Sequence, residues 1–267
     1  MNKQGIGKIE WCDYTWNPVT GCKHGCRYCY AEEIANRFSM LNNDVTLSET
    51  KEIIDMVYGC NESKDYKITG ECISLYTPIG CEINEPYPFN FRPTFYHYRL
   101  QEPLKKRKPS KIFVVSMGDL FGEWVPDEWI QEVFKACEAA PQHTYMFLTK
   151  NGSRYEQLGL LPDNDKFWYG TTRTGINPKL ECGAADHGKK FLSLEPLLAP
   201  IDTGTLDAIE FWDWVIIGQQ TGTGAKPPKP EWVQKIIDRC RDVGVPVFVK
   251  SPLYEKFPIQ EWPEGLK

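Results

Sequence analysis

Two kinds of pattern alternate along this chain. Short runs rich in β-branched and aromatic residues occur at 14–20, 111–116, 144–149, 167–172, 191–194, 214–218 and 245–250. Between them, apolar residues recur at three- and four-residue spacing. In 127–140, Ile130, Val133, Phe134 and Cys137 share one helical face behind Pro126 and Asp127. Residues 231–242 repeat the pattern with Val233, Ile236, Ile237 and Cys240, and Gly244 supplies a C-terminal cap. Residues 30–38 predict a third helix. Strands alternating with helices are the sequence form of βα units around a parallel sheet. Several runs are apolar throughout, as strands covered on both faces are. Pro18 interrupts the first run and predicts a short strand there. The pattern predicts an α/β fold: a TIM-like partial parallel (β/α) barrel of six to seven strands, one domain over residues 1–267.

Residues 39–98 break the alternation. The segment is polar, holds Cys60, Cys72 and Cys81, and is rich in Pro and aromatics near its end. A loop this long carries its own structure or a function, so an inserted subdomain near the mouth of the site is expected.

Composition adds three constraints. The 267-residue chain fits one α/β barrel or two smaller domains, its 41% hydrophobic and 13% aromatic residues are ample for a packed core, and its net charge of −5 gives no global basic field. One basic run, Lys105-Lys106-Arg107-Lys108 with Lys111, stands out. Its ordinary role is a solvated loop before a strand, and the other is a phosphate-contacting edge. Residues 1–10 are polar and no stretch approaches 18 consecutive apolar residues, so a soluble cytoplasmic protein with no membrane partner is expected. In such a chain ten cysteines read as metal ligands or buried thiols rather than disulfides.

The chemistry concentrates in Gly21-Cys22-Lys23-His24-Gly25-Cys26-Arg27-Tyr28-Cys29-Tyr30. Its C-x3-C-x2-C spacing lets three thiolates wrap one side of a metal cluster. A structural zinc site wants four protein ligands, usually as two separated pairs. A cubane iron–sulfur cluster takes three thiolates and keeps its fourth iron for a small molecule. The spacing, with aromatic Tyr28 before the third cysteine, resembles the signature of radical S-adenosylmethionine enzymes. That resemblance implies a 4Fe–4S cluster on Cys22, Cys26 and Cys29 with S-adenosylmethionine on the open iron. It also implies a reductant such as flavodoxin or ferredoxin. Reductive cleavage would then give a 5′-deoxyadenosyl radical that abstracts hydrogen from an unidentified substrate. A nucleotide or nucleic-acid base is one candidate class.

In parallel barrels reactive groups sit at the carboxyl ends of strands. Here those ends carry Ser116 with Gly118 and Asp119, Thr149-Lys150, Thr171-Thr172-Arg173, Ser193 with Glu195, Gln219-Gln220 and Lys250-Ser251. The resemblance implies that Asp119, after a turn departing from the superfamily's usual two glycines, receives the cofactor's ammonium, and that Tyr28 lies near its adenine. The remaining cofactor-binding candidates are Ser116, Gly118, Thr172, Arg173, Ser193, Glu195 and Gln219. Gly218 to Gly224 forms a flexible turn whose N–H groups could meet a carboxylate or adenine. Glu195 has two readings, a ligand role or an ion pair with Arg173 or Lys250. Cys60, Cys72 and Cys81, with Cys12 or Cys182, read as isolated thiols or as a second metal site. His24 reads as a solvent-facing loop residue or one that tunes the cluster.

Longer segments resemble a phage- and mobile-element-associated family of radical-SAM-like proteins of obscure function, sometimes encoded beside a three-Cys-motif partner protein. They are Ile9-Glu10-Trp11, Thr15-Trp16-Asn17-Pro18-Val19-Thr20-Gly21-Cys22, Cys29-Tyr30-Ala31-Glu32, Ile112-Phe113-Val114 with Ser116-Met117 and Asp119-Leu120-Phe121, Ala140-Pro141-Gln142-His143-Thr144, Leu148-Thr149-Lys150, Phe191-Leu192-Ser193 with Glu195-Pro196-Leu197, and Trp214-Val215-Ile216-Ile217-Gly218. The alternative to an enzyme is a non-catalytic zinc- or cluster-binding module that binds nucleic acid or a partner protein.

Overall fold

The computed structural model describes residues 1–267 except 40–44, 59–61, 79–86, 160, 177–183, 187 and 223. Cys60, Cys81 and Cys182 therefore lie outside the described residues. The strands are β1 (Asn2–Lys3), β2 (Tyr14–Trp16), β3 (Val19–Thr20), β4 (Tyr66–Thr69), β5 (Cys72–Leu75), β6 (Thr94–Tyr96), β7 (Lys111–Val114), β8 (Thr144–Thr149), β9 (Phe167–Thr172), β10 (Lys189–Leu194), β11 (Trp214–Ile217) and β12 (Val247–Val249). The helices are α1 (Tyr30–Arg37), α2 (Leu47–Tyr58), α3 (Glu62–Asp65), α4 (Glu102–Lys105), α5 (Asp127–Glu138), α6 (Ser153–Leu158), α7 (Thr203–Asp207) and α8 (Pro230–Val243). The fold is mixed α/β with a large, parallel-rich sheet in the order β1-β2-β7-β8-β9-β10-β11-β12 and a smaller sheet in the order β3-β6-β5-β4. No helix among the described residues is long and apolar enough to cross a membrane.

The chain divides into two compact units. The first holds Met1–Asn2, Thr15–Pro109 and Phe113–His143, and the second Lys3–Tyr14, Ser110–Ile112 and Thr144–Lys267.

In the second unit, β8 to β12 pair in parallel, each with the next. Successive side chains point to opposite faces. Leu192, Leu194, Val215, Ile217, Val247 and Val249 join Val233, Ile236, Ile237 and Cys240 of α8 in one core. The opposite face carries Trp168, Gly170, Phe191 and Trp214 toward the amino ends and Thr172, Ser193, Ile216 and Phe248 toward the carboxyl ends. Aromatic rings fill the amino end: Trp11 lies 5.8 Å from Phe191, and Trp262 5.1 Å from Trp214. A Cβ on Gly170 would come within 2.3 Å of the Phe191 ring, so glycine is what leaves room for that ring beside β9. Helix α8 begins on Pro230 and ends on Gly244 at φ +73°, as the pattern predicts.

In the first unit the segment 39–98 builds a small mixed sheet. β4 and β5 run antiparallel, β5 and β6 parallel, and β3 and β6 antiparallel. Ile54 of α2 packs there with Tyr66, Ile73, Leu75, Phe89 and Tyr96. The predicted strand 14–20 is two strands in different sheets. Pro18 has no N–H for a ladder, and the chain changes sheets at Asn17-Pro18.

Candidate functional site

The cysteine loop belongs to the first unit and is pinned by backbone. Gly21 N–H donates to Met117 O at 2.9 Å, and Gly21 and Gly118 form a parallel bridge. Cys22 N–H donates to Phe91 O at 3.2 Å. The approach is so close that side chains are excluded. A Cβ on Gly118 would lie 2.7 Å from Gly21 O, and one on Gly21, whose φ is +88°, would lie 2.3 Å from Arg92 O. Gly25 turns the loop at φ +64° between the first two cysteines. Cys29 caps α1, its sulfur accepting Glu32 N–H at 3.4 Å.

The three sulfurs sense one another. Burial pushes the Cys22 thiol well above its usual range, and the charges of Asp119, Cys29 and Cys26 push the same way against a backbone hydrogen bond from His24. Burial also raises Cys29, opposed by the amides of Glu32 and Ala31 and supported by Cys26 and Glu32. Among the described residues no group of three or more His, Cys, Asp or Glu side chains is arranged to hold one metal ion. A cubane spreads its thiolates over separate irons, so its ligands stand farther apart than those of a single ion. Three half-buried thiols that repel one another as anions, one at the positive end of a helix, have the donor chemistry such a cluster needs.

The turn after β7 faces this loop. Val115 adopts φ +61°, uncommon for a β-branched residue. Asn17 holds the turn: its Oδ1 accepts Ser116 Oγ–H at 3.2 Å and Met117 N–H at 3.0 Å. Tyr30 donates to Ser116 O at 2.8 Å, tying α1 to the same turn. Asp119 is buried; its Oδ1 accepts Phe121 N–H at 3.0 Å and its Oδ2 lies 2.8 Å from His24 Nε2. His24 is not solvent-facing. Its side chain is 7% exposed and packs edge-on to Trp124 with ring centroids 4.9 Å apart. Tyr28 is half-buried. Cys72 is buried with its thiol on Trp124 O at 3.1 Å, and burial raises it while the Lys23 charge opposes.

Thr172, Arg173, Ser193, Glu195 and Gln219 belong to the second unit. Ser193 is in register with Thr172 and Ile216, both on the face away from α8. Arg173 N–H donates to Ser193 O at 2.8 Å, and the buried Arg173 Nε has no hydrogen-bond partner among the described residues. Of the two readings for Glu195, the ion pair is present, and its partner is Lys250. The carboxylate reaches it across the end of β11, where a Cβ on Gly218 would meet Glu195 Cδ at 2.7 Å. Gln219 is half-buried beyond that glycine.

The sequence pattern singled out the cysteines, Ser116, Gly118 and Asp119, and the structure brings these together. It missed Asn17, Tyr30 and Trp124 as their supports. The one local hint was Asn17 before Pro18, a pair that favours a turn.

The chain matches the model of a family described as a protein of unknown function, DUF5131, over residues 6–254, and it belongs to that family. No curated protein and no solved structure matches it.

Proposed function

We propose that this chain is a radical S-adenosylmethionine enzyme on a partial parallel (β/α) barrel, with Cys22, Cys26 and Cys29 ligating a 4Fe–4S cluster. The observation that supports it most is the mutual electrostatic reach of the three thiols in a loop docked backbone to backbone on the β7 turn. When bound, the cofactors supply one-electron reductive cleavage of S-adenosylmethionine and hydrogen abstraction from a substrate. The protein's own residues do the rest. Gly21 and Gly118 fix the distance between loop and turn. The α1 terminus and Glu32 N–H favour the Cys29 thiolate. Asp119 offers an oxygen to an ammonium group, which would compete with His24 for Oδ2. In the second unit Thr172, Arg173, Ser193, Glu195 and Gln219 are the ligand-binding candidates. The amino end of their face is filled by aromatic rings.

Anaerobic reconstitution with iron and sulfide tests the reading. The expected result is stoichiometric iron and sulfide, visible sulfur-to-iron absorbance, and 5′-deoxyadenosine released on reduction with S-adenosylmethionine. Tightly held zinc with four sulfur ligands, or a protein that takes up no cluster, would overturn it in favour of the non-catalytic module.

A further inference from the structure

We propose that the exposed loop 105–108 is a contact surface for the phosphate backbone of nucleic acid. Its backbone is fixed from below. Lys106 N–H donates to Pro103 O at 3.1 Å. The fully buried His143 donates from Nε2 to Pro103 O at 3.0 Å, and Gln142 Nε2 donates to Lys106 O at 2.9 Å. The carbonyls are thus engaged by the protein while Lys105, Arg107 and Lys108 are exposed. Lys106 itself is half-buried, with extended backbone at φ −95° and ψ 107°. Lys105 closes α4 and Arg107 follows the extended Lys106, and neither has an ion-pair partner among the described residues. Lys111 is not part of the surface: its amine sits 3.7 Å over Trp262 and donates to Leu266 O.

Lys105 and Arg107, without ion-pair partners among the described residues of a chain with net charge −5, are a local feature rather than a consequence of composition. Their complement is a regular row of single negative charges, which a nucleic-acid strand presents every ~3.4 Å of axis. The loop carries only lysine and arginine, whose charges suit phosphate oxygens, so the contact proposed is to the backbone rather than to the bases. An anionic membrane fits less well. Polybasic anchoring needs a second, apolar signal, and beside the run Leu104 is the one exposed large apolar side chain among the described residues.

The test is fluorescence anisotropy of the full-length chain with short random-sequence duplex and single-stranded DNA over a salt series, comparing it with the Lys105→Gln/Arg107→Gln double variant. Loss of two phosphate contacts should flatten the log–log salt slope by about 1.8 for duplex or 1.4 for single strand, weakening duplex affinity roughly 60-fold at 0.1 M salt. The Lys105→Arg/Arg107→Lys variant should retain binding. A Cys22→Ser/Cys26→Ser/Cys29→Ser variant should bind as the unmodified chain does, which separates this inference from the cluster reading. An unchanged slope in the double variant, no binding to either polymer, or loop-dependent binding to phosphatidylserine vesicles in preference to DNA would each overturn it.

Discussion

The cysteine loop of the first unit and the carboxyl edge of the second manage charge in opposite ways. At the edge, Glu195 and Lys250 neutralise each other, and Gly218 lacks a side chain so that the carboxylate can cross to its partner. At the loop the α1 terminus favours the Cys29 sulfur alone, and no cationic side chain among the described residues offsets the Cys22 sulfur. Burial, Asp119 and the neighbouring thiols all disfavour the Cys22 thiolate, so in the metal-free chain that thiol is held neutral. The Glu195–Lys250 pair is neutral as folded, whereas under the proposed cluster reading the thiolates of the loop would be stabilised by the cluster's irons. This predicts that substitutions at the edge cost stability directly, whereas substitutions of the cysteines cost metal.

The largest contrast comes from replacing Cys22, Cys26 and Cys29 together with serine. Iron and sulfide uptake should fall to background while the metal-free protein keeps its circular dichroism and unfolds cooperatively. Iron content equal to that of the unmodified chain would show that these cysteines do not hold the metal. Next in size is Gly21→Ala. The new methyl would need a left-handed backbone and would strike Arg92 O, so urea unfolding should show a loss of about 3 kcal/mol. A loss below about 0.5 kcal/mol would mean that the loop is not pinned as described.

The pieces that were legible in the sequence share one property: their signal is local. Runs 144–149 and 167–172 coincide with β8 and β9, and α8 ends on Gly244 where the apolar period stops. The cysteine loop stood out because its C-x3-C-x2-C spacing lies within a few residues. The sheet of β4, β5 and β6 was not, because its strands are three or four residues long and β6 finds its partners far along the chain. The same reason hid the supports of the site. His24 meets Asp119 from 95 positions away, and Asn17 meets Ser116 from 99. A side chain's role in clamping a distant turn leaves no periodicity to read.

A smaller effect is expected at the edge. Glu195→Gln strands the Lys250 amine, whose side chain is 13% exposed, and should cost about 2 kcal/mol in chemical denaturation. Adding Lys250→Met removes the stranded charge, so the double variant should recover at least half of that loss. If the two losses simply add, the pair is not coupled and the edge is not self-neutralised.

The smallest effect is a difference in acid sensitivity between the two units. Burial lowers His97 below its ordinary 6.5, against the opposing charge of Glu132, and its Nε2 is buried without a partner among the described residues. Burial also lowers His143, against its hydrogen bonds to Pro103 and Lys106 and with the Lys106 charge adding to the shift. Both belong to the first unit. Between their folded values and 6.5 the unfolded chain binds more protons than the native one. Stability from these groups is therefore present at neutral pH and lost as pH falls below about 6.5. Asp202 in the second unit behaves otherwise. The Thr205 hydroxyl and amide hold it below its ordinary 3.8, so its contribution persists above that value and is lost only in stronger acid. Amide hydrogen exchange at pH 7, 6 and 5, corrected for intrinsic rates, should show peptides of the first unit losing protection before those of the second. The His97→Asn variant should narrow the gap, because it removes a buried ring whose protonation leaves the Nε2–H without an acceptor among the described residues. Equal loss in both units, or earlier loss in the second, would show that buried histidines do not set the weaker half.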